Sequence, residues 1–307
     1  MMNQAYKDQV KLLLQIIPYV SQEKIFALKG GTAINMFIWN MPRLSVDLDL
    51  TYINFDEREV ALVNISAALD RIKAKLLIAM PEVIITTKGT SDYHDEKLIC
   101  RYRGVQVKIE VNTIMRGIIY PVRSLPISNN TLKMFNLFAE MNIVSNAELF
   151  GGKICAALDR QHPRDLFDIY HLIQNNGFTD DVKQGFIAAL LSHPKSIHEI
   201  LQPIFYNQEA AFSNQFSGMT ESNFSYQNFE YTRMKLITII HDLLTSQDRE
   251  FLVSFKSGDP MWQLSDTERL AELPAIKWKL LNIHKLKSSN PTKHILLLDK
   301  LKSCLKF

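Results

Sequence analysis

Hydrophobic positions recur along this chain with two periods, and the place where one gives way to the other divides it. From about residue 4 to 17 apolar side chains fall at helical intervals, and the pattern stops near Pro18, whose ring does not suit a continuing helix. IFALKGGTAINMFIW then reads as a strand ending at Lys29, a tight turn at Gly30 and Gly31, and a helix from Thr32 to Trp39. In VDLDLTYI, Val46, Leu48 and Leu50 alternate with Asp47, Asp49 and Thr51, so both aspartates share one strand face. Helical spacing returns over 56–78, PEVIITTK follows as a strand, and KLICRYRGVQVKIEVNT folds as a hairpin about Gly104. Its second arm puts Val105, Val107, Ile109 and Val111 on one face, and Gln106, Lys108, Glu110 and Asn112 on the other.

Beyond about residue 125, apart from a short strand near Phe138 to Ile143, the periodicity is helical. Ser145 with Glu148 is a capping-box signal for a helix from Asn146, which runs towards Asp159 and Arg160. Pro163 separates it from a helix starting near Arg164 or Asp165 and ending at Leu172, before Asn175, Asn176 and Gly177. Further helices are expected over 180–191, 195–204, 228–245 and in the C-terminal third. Residues 206–227 read as a loop or interlobe connection, whose aromatic residues serve as packing anchors or, as the alternative, as a base-stacking platform. The predicted class is therefore α/β, with a mixed-sheet lobe over 1–125 and a larger, mostly helical lobe over 126–307.

Composition narrows the classes. At 307 residues with 47% hydrophobic and 22% charged side chains, the chain is globular, with material for about two domains. A formal charge of +3 is too small to mark a nucleic-acid binder globally. Locally the picture changes, because residues 276–307 carry eight lysines and one aspartate, a basic field suited to an RNA backbone, to a solvated helical face or to a partner protein. Cys100, Cys155 and Cys304 are too sparse for a disulfide framework and too far apart for a structural zinc site. Leu12 to Val20 is interrupted by Gln15 and Pro18 and reads as a buried helix instead of a leader. No run of 18 apolar residues occurs, so a cytoplasmic protein without stable membrane association is expected.

The chemical signal lies in an ordered set: Lys29-Gly30-Gly31-Thr32, then Arg43, Ser45, Asp47 and Asp49, then Lys108 and Glu110. A glycine pair after a strand lets backbone approach a triphosphate closely, while Asp47, Asp49 and Glu110 are hard oxygen ligands for paired magnesium ions. Such a site suits transfer of a nucleoside monophosphate from an NTP. It matches neither a Walker loop nor a Rossmann fingerprint. A second group runs from Glu148 to Asp168, in which Lys153 and Arg160 lie on nearly one helical face and Asp165 and Asp168 on another. Lys153, Arg160 and Arg164 can meet phosphates, and Asp165 or Asp168 can take a proton or hold the cations. An interhelical salt-bridge network is the alternative. Arg43, Ser45 and Thr32 can touch phosphate, although Arg43 reads equally as a surface cation. His94, His162 and His171 show no shared ligand pattern.

The motifs KGGTA…RLSVDLDL, VKIEV and ELFGGKICAALDRQHPRDLFDIYHL, with LPAIKWKLLNIHKL further on, resemble the AbiEii/AbiGii toxin family, within the DNA polymerase β-like nucleotidyltransferases. The resemblance spans most of the chain. It implies a magnesium-dependent enzyme that uses an NTP, acts as the toxin of a bacterial toxin–antitoxin or abortive-infection system, and has a separately encoded antitoxin partner. It further implies an RNA acceptor, a tRNA 3′ end in some relatives. On these positions Asp47 and Asp49 would be the principal metal ligands, Lys153 the triphosphate-binding lysine, and Asp165 or Asp168 its acidic partner. The active cleft is expected between the lobes. Nucleotidylation of a protein hydroxyl, and an inactive nucleotide- or RNA-binding module, are the competing functions. Oligomeric state is left open.

Overall fold

A seven-stranded mixed sheet orders the first part of the chain, in the computed structural model that describes residues 2–89 and 96–306. Its elements are α1 (Gln4–Val20), β1 (Phe26–Lys29), α2 (Gly30–Thr32), β2 (Asp47–Tyr52), α3 (Arg58–Ala79), β3 (Ile84–Lys88), β4 (Lys97–Tyr102), β5 (Val105–Asn112), β6 (Arg123–Pro126), α4 (Asn129–Phe135) and β7 (Glu140–Ile143). The spatial order is β3-β4-β5-β2-β1-β7-β6. At its centre β2 runs antiparallel to β1 and parallel to β5, with Asp47 opposite Lys108 and Asp49 opposite Glu110. Leu48, Leu50, Val107 and Ile109 are fully buried, so the period-two alternation in the sequence does separate a core face from a polar one.

Two local differences have simple causes. α1 continues through Pro18 to Val20, because a proline in the last turn forfeits only one hydrogen bond and Ser21 N still donates to Ile17 O. The helix expected from Thr32 starts at Gly30 and widens after one turn into a π-helix over Ala33–Ile38, closed by Trp39 N donating to Ile34 O.

Two compact units are present, residues up to Ser145 with Phe216–Asn223, and Asn146–Gln215 with Phe224 onward. The division falls after Ser145, not near residue 125, because β7 pairs in parallel with β1, through Leu28 and Ile143, and β6 pairs with β7. The segment over 206–227, expected as a loop or interlobe connection, contributes to both units. Within the first, Met219 O accepts from Leu44 N and Thr220 Oγ1 donates to Pro42 O, so this stretch clamps the chain just before β2.

The second unit comprises α5 (Asn146–Arg160), α6 (Pro163–Gln174), α7 (Asp180–Ser192), α8 (Ile197–Leu201), α9 (Glu209–Gln215), α10 (Tyr226–Leu243), α11 (Ser246–Ser257), α12 (Pro274–Ser289) and α13 (Pro291–Leu305). α5 and α7 touch backbone to backbone, since a Cβ on Gly151 would lie 2.2 Å from Gly185 C and one on Gly185 would lie 1.9 Å from Ala147 O. The aromatic residues of the former loop are packing anchors: Phe212 and Tyr226 sit against Phe229, which is fully buried, and Phe224 meets Phe167 edge-on at 5.3 Å.

Candidate active site

The first unit holds the glycine turn and the carboxylate strand. Gly30 adopts φ +71°, and a Cβ there would stand 2.4 Å from Asp49 Oδ2. Only glycine permits both that backbone and that carboxylate. Gly31 answers to the chain behind it, where Arg43 Nη2 and Ser45 Oγ would be 2.7 and 3.0 Å from its Cβ. Thr32 Oγ1 donates to Asp47 O at 2.5 Å and lies 3.0 Å from Ser45 Oγ, tying the turn to the start of β2. Arg43 is 1% exposed and donates through Nη1 to Leu44 O, so its charge reaches the turn from beneath and not from solvent. Thr32 and Ser45 are likewise buried. All three, expected at the phosphates, pack around the turn and the start of β2.

Asp47 and Asp49 are both half-buried on one face of β2, and the register sets Lys29 beside Asp49 on β1 and Glu110 beside it on β5. Glu110 itself is half exposed and bridged to Lys97 at 2.8 Å. Among the described residues no group of three or more His, Cys, Asp or Glu side chains is gathered to hold a metal, so the expected carboxylate trio is not assembled. Magnesium does not need it, being commonly held by one or two carboxylates together with substrate phosphates. Asp47 and Asp49 fit that requirement; Glu110 would first have to part from Lys97.

The second unit gathers the remaining residues around the α5–α6 turn. Lys153 is 6% exposed and donates to Asp165 Oδ1 at 2.7 Å, with Asp168 Oδ2 at 3.0 Å. Arg160, largely exposed, reaches the same Asp165 through Nε at 2.6 Å and Nη2 at 3.1 Å. Burial pushes the Asp165 carboxyl up, but the Lys153 and Arg160 cations outweigh it and hold the group well below the usual carboxylate range. Such a carboxylate is a weak proton acceptor. In this arrangement Lys153, expected at the triphosphate, is committed to the two aspartates, and Arg160 and half-buried Arg164 are the cations nearer solvent.

Sequence reasoning missed the residues that hold this turn. Gln161, fully buried at φ +51°, donates to Ile204 O at 2.7 Å and accepts from Tyr206 N and Arg233 Nη1. The Arg233 guanidinium lies 4.1 Å from the Phe205 ring centre. A lone glutamine before His-Pro offered no signal beyond a turn. His162 caps α6 by accepting from Arg164 N, and burial lowers its pKa. His171 lies half-buried in the same helix, and His94 lies outside the described residues.

The model of the AbiEii family, described as nucleotidyl transferase AbiEii toxin of a type IV toxin–antitoxin system, matches residues 11–272. No curated protein matches. Among solved structures the chain is similar in fold to MenT4, a nucleotidyltransferase toxin from Mycobacterium tuberculosis H37Rv, at 15% identity and a TM-score of 0.57, with 92% of this chain and 95% of that one covered.

Proposed function

Because the chain belongs to the AbiEii family of nucleotidyltransferase toxins, we propose that it transfers a nucleoside monophosphate from an NTP to an RNA hydroxyl, with a tRNA 3′ end as the acceptor. The observation that carries this reading is Asp47 and Asp49 on one face of β2, with the Gly30 backbone directly under the Asp49 carboxylate. Magnesium held by these aspartates would supply Lewis-acid stabilisation of the α-phosphate and of the leaving pyrophosphate. The acceptor oxygen forms a bond to the α-phosphorus, the α–β phosphoanhydride bond breaks, and the hydroxyl proton leaves for solvent. Gly30 and Gly31 keep side chains out of the phosphate path, while Lys29 stands beside Asp49 in register. Arg43, Thr32 and Ser45 hold the turn in place from below.

Within the second unit Lys153, Asp165 and Asp168 form a buried positioning group, and Arg160 and Arg164, nearer solvent, offer positive charge to an anionic ligand. A separately encoded antitoxin is the regulatory partner of the toxin. The test is incubation of the protein with magnesium, each labelled NTP and total cellular RNA. Label on an RNA terminus, lost in Asp49→Asn with the melting curve unchanged, is the expected result. Label on protein alone would transfer the reading to a protein acceptor, and label on neither would end it.

A further inference from the structure

The tail motif LPAIKWKLLNIHKL has no part in the chemistry above, yet its helix is anchored with unusual economy. Lys279 points inward and its ammonium donates to three carbonyls at the end of α7 and just past it: Leu190 O at 3.0 Å, His193 O at 2.8 Å and Lys195 O at 3.0 Å. Every donor of the group is used. Burial lowers the Lys279 pKa to about 8. Ile276 and Ile283, at 1% and 5% exposure, share that inward side of α12. With the helix held at three inward points, its rotation is set, and the residues opposite must face solvent.

Those residues are Lys277, Trp278, Leu281, Asn282 and Lys285, all exposed, with Trp278 at 63% and Leu281 at 60%. α12 contains no Asp or Glu, and neither Lys277 nor Lys285 is bridged to a carboxylate among the described residues. Lys287 differs, being paired with Asp259 at 2.9 Å, and is left out of the surface. We infer that this outer face of α12 binds single-stranded RNA, Trp278 stacking on a base, Lys277 neutralising a phosphate next to it and Lys285 one about two turns further along. The two lysines lie two helical turns apart, about 12 Å along the axis. An indole ring with one positive charge beside it and another two turns along the same face suits a polyanion in which every repeat carries a flat π-face. This deepens the RNA-acceptor reading and rests on it for the identity of the ligand.

The experiment uses the full chain carrying Asp49→Asn, so that binding is read without transfer, and a fluorescein-labelled single-stranded RNA followed by anisotropy over a salt series. Trp278→Ala is expected to weaken binding about tenfold, with most of the affinity restored by Trp278→Phe. Lys277→Gln and Lys285→Gln should each reduce the slope of log affinity against log salt by about 0.7. Unchanged melting curves establish that these surface variants fold. Unaltered RNA affinity in Trp278→Ala and in the double lysine variant would overturn the inference while leaving nucleotide transfer to RNA standing. Tighter binding of labelled polyglutamate than of RNA, lost in the same variants, would overturn it in favour of an acidic protein partner.

Discussion

At Gly30 a single hydrogen stands where any other residue would place carbon against the Asp49 carboxylate, 2.4 Å away. Gly30→Ala therefore combines backbone strain with displacement of the Asp49 carboxylate, the ligand proposed above for magnesium. Because a misplacement of about 1 Å can cost roughly a hundredfold in rate, single-turnover transfer should fall by about that factor or more. A variant with the parent rate would show that Asp49 does not work from its present position. The other informative residue is Asp165, whose carboxyl is held low by Lys153 and Arg160. A depressed folded-state pKa means that the unfolded chain binds the extra proton, so the contribution to stability is present above the unfolded value of about 3.9 and is lost as pH falls below it. Denaturant midpoints followed from pH 7 to pH 3 should show this acid loss, and Asp165→Asn should flatten it. An identical profile in the variant would refute the assignment.

Among the elements, α5 and α7 show why ELFGGK carries two glycines with different meanings. Gly151 lies where α7 backbone would be 2.2 Å from a Cβ, whereas nothing lies within 4 Å of a Cβ on Gly152. Gly151→Ala should destabilise the protein by about 1–3 kcal/mol or more through overpacking. Gly152→Ala should instead stabilise it by about 1 kcal/mol, since a helical glycine is that much poorer than alanine. Thermal unfolding of the pair checks both signs, and equal effects would contradict the close crossing. In the sheet the comparable device is register. Parallel pairing of β2 with β5 brings Glu110 alongside Asp49, while β4 brings Lys97 alongside Glu110 and occupies it.

For the whole molecule, the three cysteines report on the two units separately. Cys100 belongs to the first unit, Cys155 and Cys304 to the second, and all are free and buried. Burial pushes the Cys100 and Cys155 thiols up to about 12 and raises Cys304 as well. Thiolate is the reactive form, so at pH 8 none of the three should react with a thiol reagent at the rate of an exposed cysteine until its unit opens. Mass spectrometry of labelled peptides across a denaturant series gives the order of opening, and fast labelling of the native protein would count against the buried assignments. No helix among the described residues is long and apolar enough to cross a membrane.

The chain's own pattern determined the strand carrying Asp47 and Asp49, the hairpin about Gly104, the glycine turn after β1 and the pair of helices around Pro163. Each of these depends on neighbours a few residues apart, and periodicity records such neighbours directly. Tertiary structure alone decided that Arg43 supports the turn from the interior, that Glu110 meets Lys97, that Lys153 is enclosed by Asp165 and Asp168, and that Lys279 turns inward while Trp278 faces out. A charged side chain in a sequence looks the same whether it waits for a ligand or already has a partner. Its partner is chosen by elements brought together from distant parts of the chain, and only their packing separates the committed charges from the exposed ones.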